Sequence, residues 1–125
     1  MDENELSNLI IGAAIEVHKQ LGPGLLESAY EEANAYEYTL RQLPFERQKP
    51  ITVKYKGVDL NCGFKIDFLI SGLVIVELKA VERFHPIHEA QVLTYLKLTG
   101  CKLGLLLNFN VLRMKDGIKR VVLNL

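Results

Sequence analysis

The sequence lacks several features that define specialised protein classes. It has no tryptophan, and its two cysteines, Cys62 and Cys101, are too few for a disulfide framework or a four-thiolate zinc site. No apolar run reaches the roughly 18 residues that a membrane helix needs. The acidic start MDENELSN differs from a signal peptide, which begins with basic residues. We therefore expect a cytoplasmic protein with reduced cysteines and no membrane partner.

The chain also lacks net charge, but its charges are unevenly distributed. Fifteen basic and fifteen acidic side chains cancel, which argues against a protein that coats DNA by electrostatics alone. Residues 1–46 carry nine acids and two bases, whereas residues 47–125 carry six acids and 13 bases. Two interpretations stay open: acidic helices packed beside a basic sheet, or a basic surface for a phosphate polymer with nearby acids that recruit a metal ion.

What is present is an ordinary globular composition. The 125 residues are 49% apolar and 24% charged, which is enough for one domain with its own core, and we expect a single domain over residues 1–125. Apolar periodicity predicts helices over 6–20, 25–41 and 86–99. Strands are predicted over 51–55, 59–70, 73–80, 103–109 and 119–123, the last after a tight turn at Asp116-Gly117. The order α-α-β-β-β-α-β-β predicts an α/β (mixed α+β) fold with one mixed sheet flanked by helices.

The segment from Phe64 to Lys79 reads as a hairpin of two buried strands that nevertheless contains charges. A two-residue loop would place Asp67 and Glu77 on opposite faces of the sheet. A three-residue loop pairs Asp67 with Glu77 and leaves the other face entirely apolar, formed by Ile66, Phe68, Ile70, Val74, Val76 and Leu78. Burial favours the second register, so we expect Asp67, Glu77 and Lys79 to converge on one face.

These three residues suggest phosphoryl chemistry. Two carboxylates on adjacent strands can bind a hard cation such as Mg²⁺ or Mn²⁺ through oxygen ligands, and the cation can activate water and stabilise phosphoryl charge. Lys79 could orient the water or bind the developing oxyanion. The alternative is a structural Asp/Glu–Lys cluster at a sheet edge, because the pattern is short.

Two further polar residues are candidates. Glu27 lies in the first turn of the second helix, where an acid also complements the helix dipole. Gln91 lies in the middle of the third helix, in a stripe with His88 and Tyr95 that could equally be a solvated face.

At these residues the sequence resembles a known family. The segment Gly24-Leu-Leu-Glu27-Ser-Ala-Tyr30 matches the signature of the GxxExxY protein family, and Asp67 with Glu77-Leu-Lys79 is similar to the site of the PD-(D/E)XK nuclease superfamily, to which that family is assigned. The resemblance covers nearly the whole chain. It includes Leu21-Gly-Pro-Gly24, Gln48-Lys-Pro50, Tyr55-Lys-Gly57, His88-Glu-Ala-Gln91, Tyr95-Leu-Lys-Leu-Thr-Gly100 and Gly104-Leu-Leu-Leu-Asn-Phe109.

The resemblance implies a restriction-endonuclease-like core of order α-β-β-β-α-β, here with an extra N-terminal helix and a C-terminal strand. By position, Asp67 and Glu77 resemble the metal-binding acids, with the Leu78 carbonyl as a further ligand, and Lys79 resembles the catalytic lysine. Glu27 and Gln91 resemble supporting residues on the flanking helices. Lys65 stands where the family suggests an arginine. The lysine keeps the positive charge but cannot make the bidentate hydrogen bonds of an arginine to a phosphate.

Three functions follow as hypotheses. The first is a nuclease dependent on Mg²⁺ or Mn²⁺ that hydrolyses phosphodiester bonds, chiefly of DNA, in processing, repair or defence. The second is a catalytically silent module that keeps the fold and binds nucleic acid or a protein partner. The third is a folded domain with a surface charge cluster. The small size favours the second hypothesis, because specific DNA interfaces bury about 1,000–2,500 Å² of protein. It also suits a homodimer, because a duplex has two strands to contact and cyclic dimers are the commonest oligomers.

Overall fold

The computed structural model describes all residues 1–125 and contains three α-helices, one short 3-10 helix and seven strands. Their bounds are α1 (Glu3–Leu21), α2 (Glu27–Leu40), β1 (Phe45–Pro50), β2 (Val53–Tyr55), β3 (Val58–Leu60), β4 (Lys65–Ile70), β5 (Val74–Lys79), α3 (Pro86–Thr99), β6 (Leu103–Asn108) and β7 (Ile118–Val122). The helix ends have local causes. The Asp2 carboxylate caps α1, Pro86 opens α3 at a position that needs no N–H donor, and Gly100 ends α3 in the left-handed conformation.

Five strands form one mixed sheet in the order β1-β4-β5-β6-β7. The pair β5–β6 is parallel because α3 connects these two strands and returns the chain to the same end of the sheet, whereas the other three pairs are antiparallel. The short strands β2 and β3 form a separate hairpin.

Helices cover both faces of the sheet. The larger apolar core joins α1 and α2 to one face, with Ile10, Tyr30 and Phe68 among its fully buried members. The smaller core joins α3 to the other face through Val92, Leu96 and partners on the strands. The helix α3 lies close to β6 at Gly104, where an added Cβ would stand 2.4 Å from Val92 Cγ1. No helix in this architecture has the length and apolar character needed to cross a membrane.

The predicted fold class is confirmed, including the extra helix α1 before the core and the strand β7 after it. The three-residue hairpin loop is also confirmed, since Ile70 pairs with Val74. Ser71 and Gly72 in that loop have φ of 52° and 70°, the left-handed values that tighten the turn.

Three predicted elements are wrong in detail. The strand predicted at 51–55 is only the short β2, which pairs with β3 outside the main sheet. The first strand of the sheet is instead Phe45–Pro50, which the sequence analysis left as a connection. The long strand predicted over 59–70 is interrupted between Leu60 and Lys65, and the turn before β7 is a 3-10 helix at Met114–Gly117 rather than a tight hairpin.

Candidate active site

The hairpin of β4 and β5 brings Asp67 and Glu77 into direct contact. The backbone N–H of Asp67 donates to Glu77 Oε2 at 3.0 Å. In return, Asp67 Oδ2 accepts a hydrogen bond from the backbone N–H of Leu78 at 2.8 Å. Each carboxylate is therefore held by the backbone of the opposite strand, and the two acids stand side by side where the strands separate.

The strands β4 and β5 separate at Asp67, where side-chain hydrogen bonds replace the backbone pairing. Backbone pairing between β4 and β5 ends at Phe68 and Val76, and the Asp67 N–H bonds to a carboxylate. The expectation that Ile66 shares a face with Phe68 is wrong, because Ile66 packs with Ile75 in the core on the α3 side. The side-chain alternation is thus broken at the residue that carries the carboxylate.

Burial dominates the electrostatics of this pair. Glu77 is only 4% exposed. Burial and the neighbouring Asp67 carboxylate raise the pKa of Glu77 to about 9, against the lowering effect of the Lys79 ammonium. The same two acids act on a side chain of α3: burial, Glu77 and Asp67 together raise the pKa of Tyr95. In the metal-free protein burial and the Asp67 carboxylate therefore favour the protonated form of Glu77.

Lys79 lies two residues after Glu77 on β5 and is half-buried. It forms no ion pair within 4 Å, although its charge acts on Glu77 of the same strand, on Glu27 of α2 and on His88 of α3. An ammonium group in this position is free to donate hydrogen bonds to an anionic ligand.

Glu27 approaches from the start of α2. The Tyr30 hydroxyl donates to the Gly22 carbonyl at 2.6 Å and accepts from the Leu25 N–H at 3.1 Å, so it fixes the loop before the helix. The pKa of Glu27 is raised by burial first, and Asp67 adds to this while Lys79 opposes it. Glu27 forms no hydrogen bond to these residues, so the structure places it in their electrostatic neighbourhood, on the solvent side.

Gln91 lies on the opposite side, on α3. It is half-buried and lines a groove of about 330 Å³ that also contains Tyr95 and Phe64. It makes no hydrogen bond to Asp67 or Glu77. The stripe of which it is part is not a fully solvated face, because Tyr95 is only 5% exposed. His88 has a structural role, since its Nδ1 accepts from the His85 N–H at the start of α3.

Comparison with known proteins identifies the family. The family model of the PD-(D/E)XK nuclease superfamily matches residues 4–121, which is nearly the whole chain. The chain belongs to this superfamily. No curated protein and no solved structure compared with it matches significantly.

Membership in the PD-(D/E)XK superfamily implies a divalent cation, and the donor atoms fit one. No group of three or more His, Cys, Asp or Glu side chains stands close enough to bind a metal ion alone. Mg²⁺ does not require such a group, because it uses one or two carboxylates and keeps several waters. Asp67 and Glu77 provide two carboxylates, and Leu78, whose carbonyl is the predicted further ligand, directly follows Glu77 on β5. These oxygen ligands suit a hard cation better than a soft one.

Sequence reasoning missed a second group of polar residues around Asp67. Gln48 on β1 donates from Nε2 to Asp67 Oδ1 at 3.3 Å and also to Glu31 on α2. Arg47 holds Glu31 in turn, with Nη2 2.6 Å from Glu31 Oε2. One signal was available, because Glu31 stands four residues after Glu27 and so shares its helix face. For Gln48 the one signal was its place in the Gln48-Lys-Pro50 segment shared with the family, because the strand that carries it was not predicted.

Proposed function

We propose that the protein is a metal-dependent nuclease that hydrolyses phosphodiester bonds of nucleic acid, chiefly DNA, within the GxxExxY branch of the superfamily. The observation that carries this proposal is the contact between Asp67 and Glu77 in a buried hairpin, with the unpaired Lys79 two residues away. DNA processing, repair or defence is the setting that we propose. Cytoplasmic location, a single domain and a homodimer stay predictions from the sequence.

In this proposal Asp67, Glu77 and the Leu78 carbonyl would hold Mg²⁺ or Mn²⁺. The ion supplies Lewis-acid stabilisation of phosphoryl charge and an acidified water. Lys79 donates hydrogen bonds to the attacking water or to the oxyanion that develops on phosphorus. Glu27 borders the open side of the site and helps to orient water there. Gln91 offers an amide to the substrate from the α3 side.

One observation favours the alternative of a catalytically silent binding module. Glu77 Oε2 and Asp67 Oδ2 already accept backbone N–H groups, so the two acids are held in place without a cation. In that case Lys79 would contact a phosphate without chemistry.

The test is cleavage of a plasmid and oligonucleotide panel with Mg²⁺, Mn²⁺ or chelator. Asp67→Ala should abolish cleavage and Mn²⁺ binding. Lys79→Ala and Lys79→Met should retain Mn²⁺ binding, because an ammonium is not a cation ligand, yet slow cleavage by about 10²–10³. The matched control is Lys115→Ala. Lys115 is an exposed lysine in the 3-10 helix, and its ammonium group forms no ion pair.

Cleavage that survives unchanged in Lys79→Ala would indicate a contaminant and contradict the mechanism. Absence of metal-stimulated cleavage on every substrate would favour the binding module. Lys79→Ala should then only weaken nucleic-acid binding modestly and reduce its salt dependence by about one ion.

A further inference from the structure

The edge strand β1 carries a residue whose backbone departs from the strand conformation beside the candidate site. Arg47 pairs with Phe68 and Lys49 pairs with Ile66, so Gln48 stands opposite Asp67 in the same register. Its φ is 53°, in the left-handed region that a residue other than glycine rarely adopts within a strand. Such a conformation costs of the order of 1–3 kcal/mol, and it persists where the surrounding structure requires it.

The side chain of Gln48 joins two carboxylates. Its Nε2 donates to Glu31 Oε1 and, at 3.3 Å, to Asp67 Oδ1. A primary amide has two N–H donors, so one nitrogen can serve both acids. A glutamate here would bring three carboxylates together, and an apolar residue would leave both acceptors without this partner.

Glu31 is itself held firmly. Arg47 donates to Glu31 Oε2 from Nε at 2.9 Å and from Nη2 at 2.6 Å, and it also reaches Glu32 Oε1 at 2.7 Å. The contacts therefore form a chain from Arg47 through Glu31 and Gln48 to Asp67. This chain connects helix α2 to the carboxylate.

Both oxygens of Asp67 are consequently fixed from opposite sides. Oδ1 accepts from Gln48 on β1, and Oδ2 accepts from the Leu78 N–H on β5. We propose that Gln48 is a positioning residue that sets the orientation of the Asp67 carboxylate for cation binding, acting from the anchored Glu31. The inference rests on the proposed function only in that Asp67 binds a cation.

The first experiment is calorimetric titration of Mn²⁺ into wild type, Gln48→Ala and Gln48→Gly. Both variants remove the amide, but glycine also relieves the left-handed backbone. Loss of a hydrogen-bond partner behind a metal ligand typically costs 10–100-fold, so both should weaken Mn²⁺ binding by about tenfold or more. The matched control is Gln42→Ala, because Gln42 has φ of 57° and an exposed side chain outside the site.

Three results of this titration would overturn the role. Mn²⁺ affinity equal to wild type in both Gln48 variants would show that Asp67 is oriented without the amide. Affinity restored in Gln48→Gly but not in Gln48→Ala would assign the effect to backbone conformation. Equal weakening in the Gln42→Ala control would likewise assign it to a general loss of stability.

A second measurement separates this inference from the proposed function. Hydrogen exchange of the Leu78 amide in chelator reports the bond to Asp67 Oδ2 without any cation. We expect exchange to be faster in both Gln48 variants and unchanged in Gln42→Ala. If wild type binds no Mn²⁺, the proposed function fails, and Leu78 exchange still decides whether Gln48 orients Asp67. Unchanged exchange in the Gln48 variants overturns the positioning role.

Discussion

Replacing Glu77 by glutamine should remove a pH dependence from the stability of the metal-free protein. Glu77 is 4% exposed. Burial, with the Asp67 carboxylate beside it, raises its pKa to about 9. The folded state therefore keeps a proton between about pH 5 and pH 9 that the unfolded chain releases, because an exposed glutamate titrates near 4.3. The contribution of Glu77 to the free energy of unfolding is therefore full below about pH 4 and is lost as the pH rises through this interval.

The magnitude follows from one proton. Where the folded state holds one more proton than the unfolded state, the free energy of unfolding decreases by about 1.4 kcal/mol per pH unit. From pH 5 to pH 8 the upper limit for this contribution is about 4 kcal/mol. The groups that face Glu77 contribute in both directions: Asp67 on β4 raises its pKa and Lys79 on β5 lowers it. Glu27, whose pKa is also raised, adds a slope of the same sign.

Glutamine suits the site because its amide oxygen can accept the Asp67 N–H and its amide nitrogen can donate to a carboxylate. We expect the difference in unfolding free energy between Glu77→Gln and wild type to shift in favour of the variant as pH rises. Urea denaturation in chelator at pH 5, 6, 7, 8 and 9 measures this difference. Glu82→Gln, an exposed glutamate in the loop after β5, is the matched control and should follow wild type. Parallel stability profiles for wild type and Glu77→Gln would refute the reasoning.

The remaining predictions concern packing and hydrogen bonds, and each change in the free energy of unfolding is measured by urea denaturation. Tyr30→Phe should destabilise the protein by about 1–2 kcal/mol, because the hydroxyl donates to Gly22 and accepts another backbone bond. Tyr38→Phe should cost much less or be stabilising, because this equally buried hydroxyl has no partner; equal losses would contradict the assignment. Gly104→Ala should destabilise by about 1–3 kcal/mol, since the new Cβ would stand 2.4 Å from Val92 Cγ1. Adding Val92→Ala should recover part of that loss, and purely additive losses would exclude this contact as the cause.

The sequence was sufficient for the elements whose pattern is local. Continuous apolar runs predicted β5 and β6, and Pro86 with Gly100 bounded α3. The hairpin register was also predictable, because only the three-residue loop keeps charges off one face. The same alternation rule then failed at Ile66, because it cannot anticipate a strand that separates where a carboxylate accepts the backbone N–H.

The strand β1 illustrates what local pattern does not contain. Phe45-Glu-Arg-Gln-Lys-Pro50 has one aromatic residue, three charges and a terminal proline, which is a poor strand by propensity. It becomes a strand by pairing with β4 at the sheet edge, where proline is tolerated. Because this pairing is tertiary, the contacts that depend on it were also missed, above all Gln48 with Asp67. The ion pairs of Arg47 with Glu31 and Glu32 agree with acidic helices packed beside a basic sheet.

The fold does not require ionisable acids at Asp67 and Glu77. Asp67 Oδ2 and Glu77 Oε2 each accept one backbone N–H, and the amide oxygens of asparagine and glutamine would accept the same bonds. Neutral side chains would avoid the burial penalty and the repulsion that raise the pKa of Glu77. A purely structural role therefore explains the hydrogen bonds but not the acids, whereas cation binding requires the acids. The two explanations separate in one variant: at pH 8 Glu77→Gln should be more stable than wild type and lose Mn²⁺ binding.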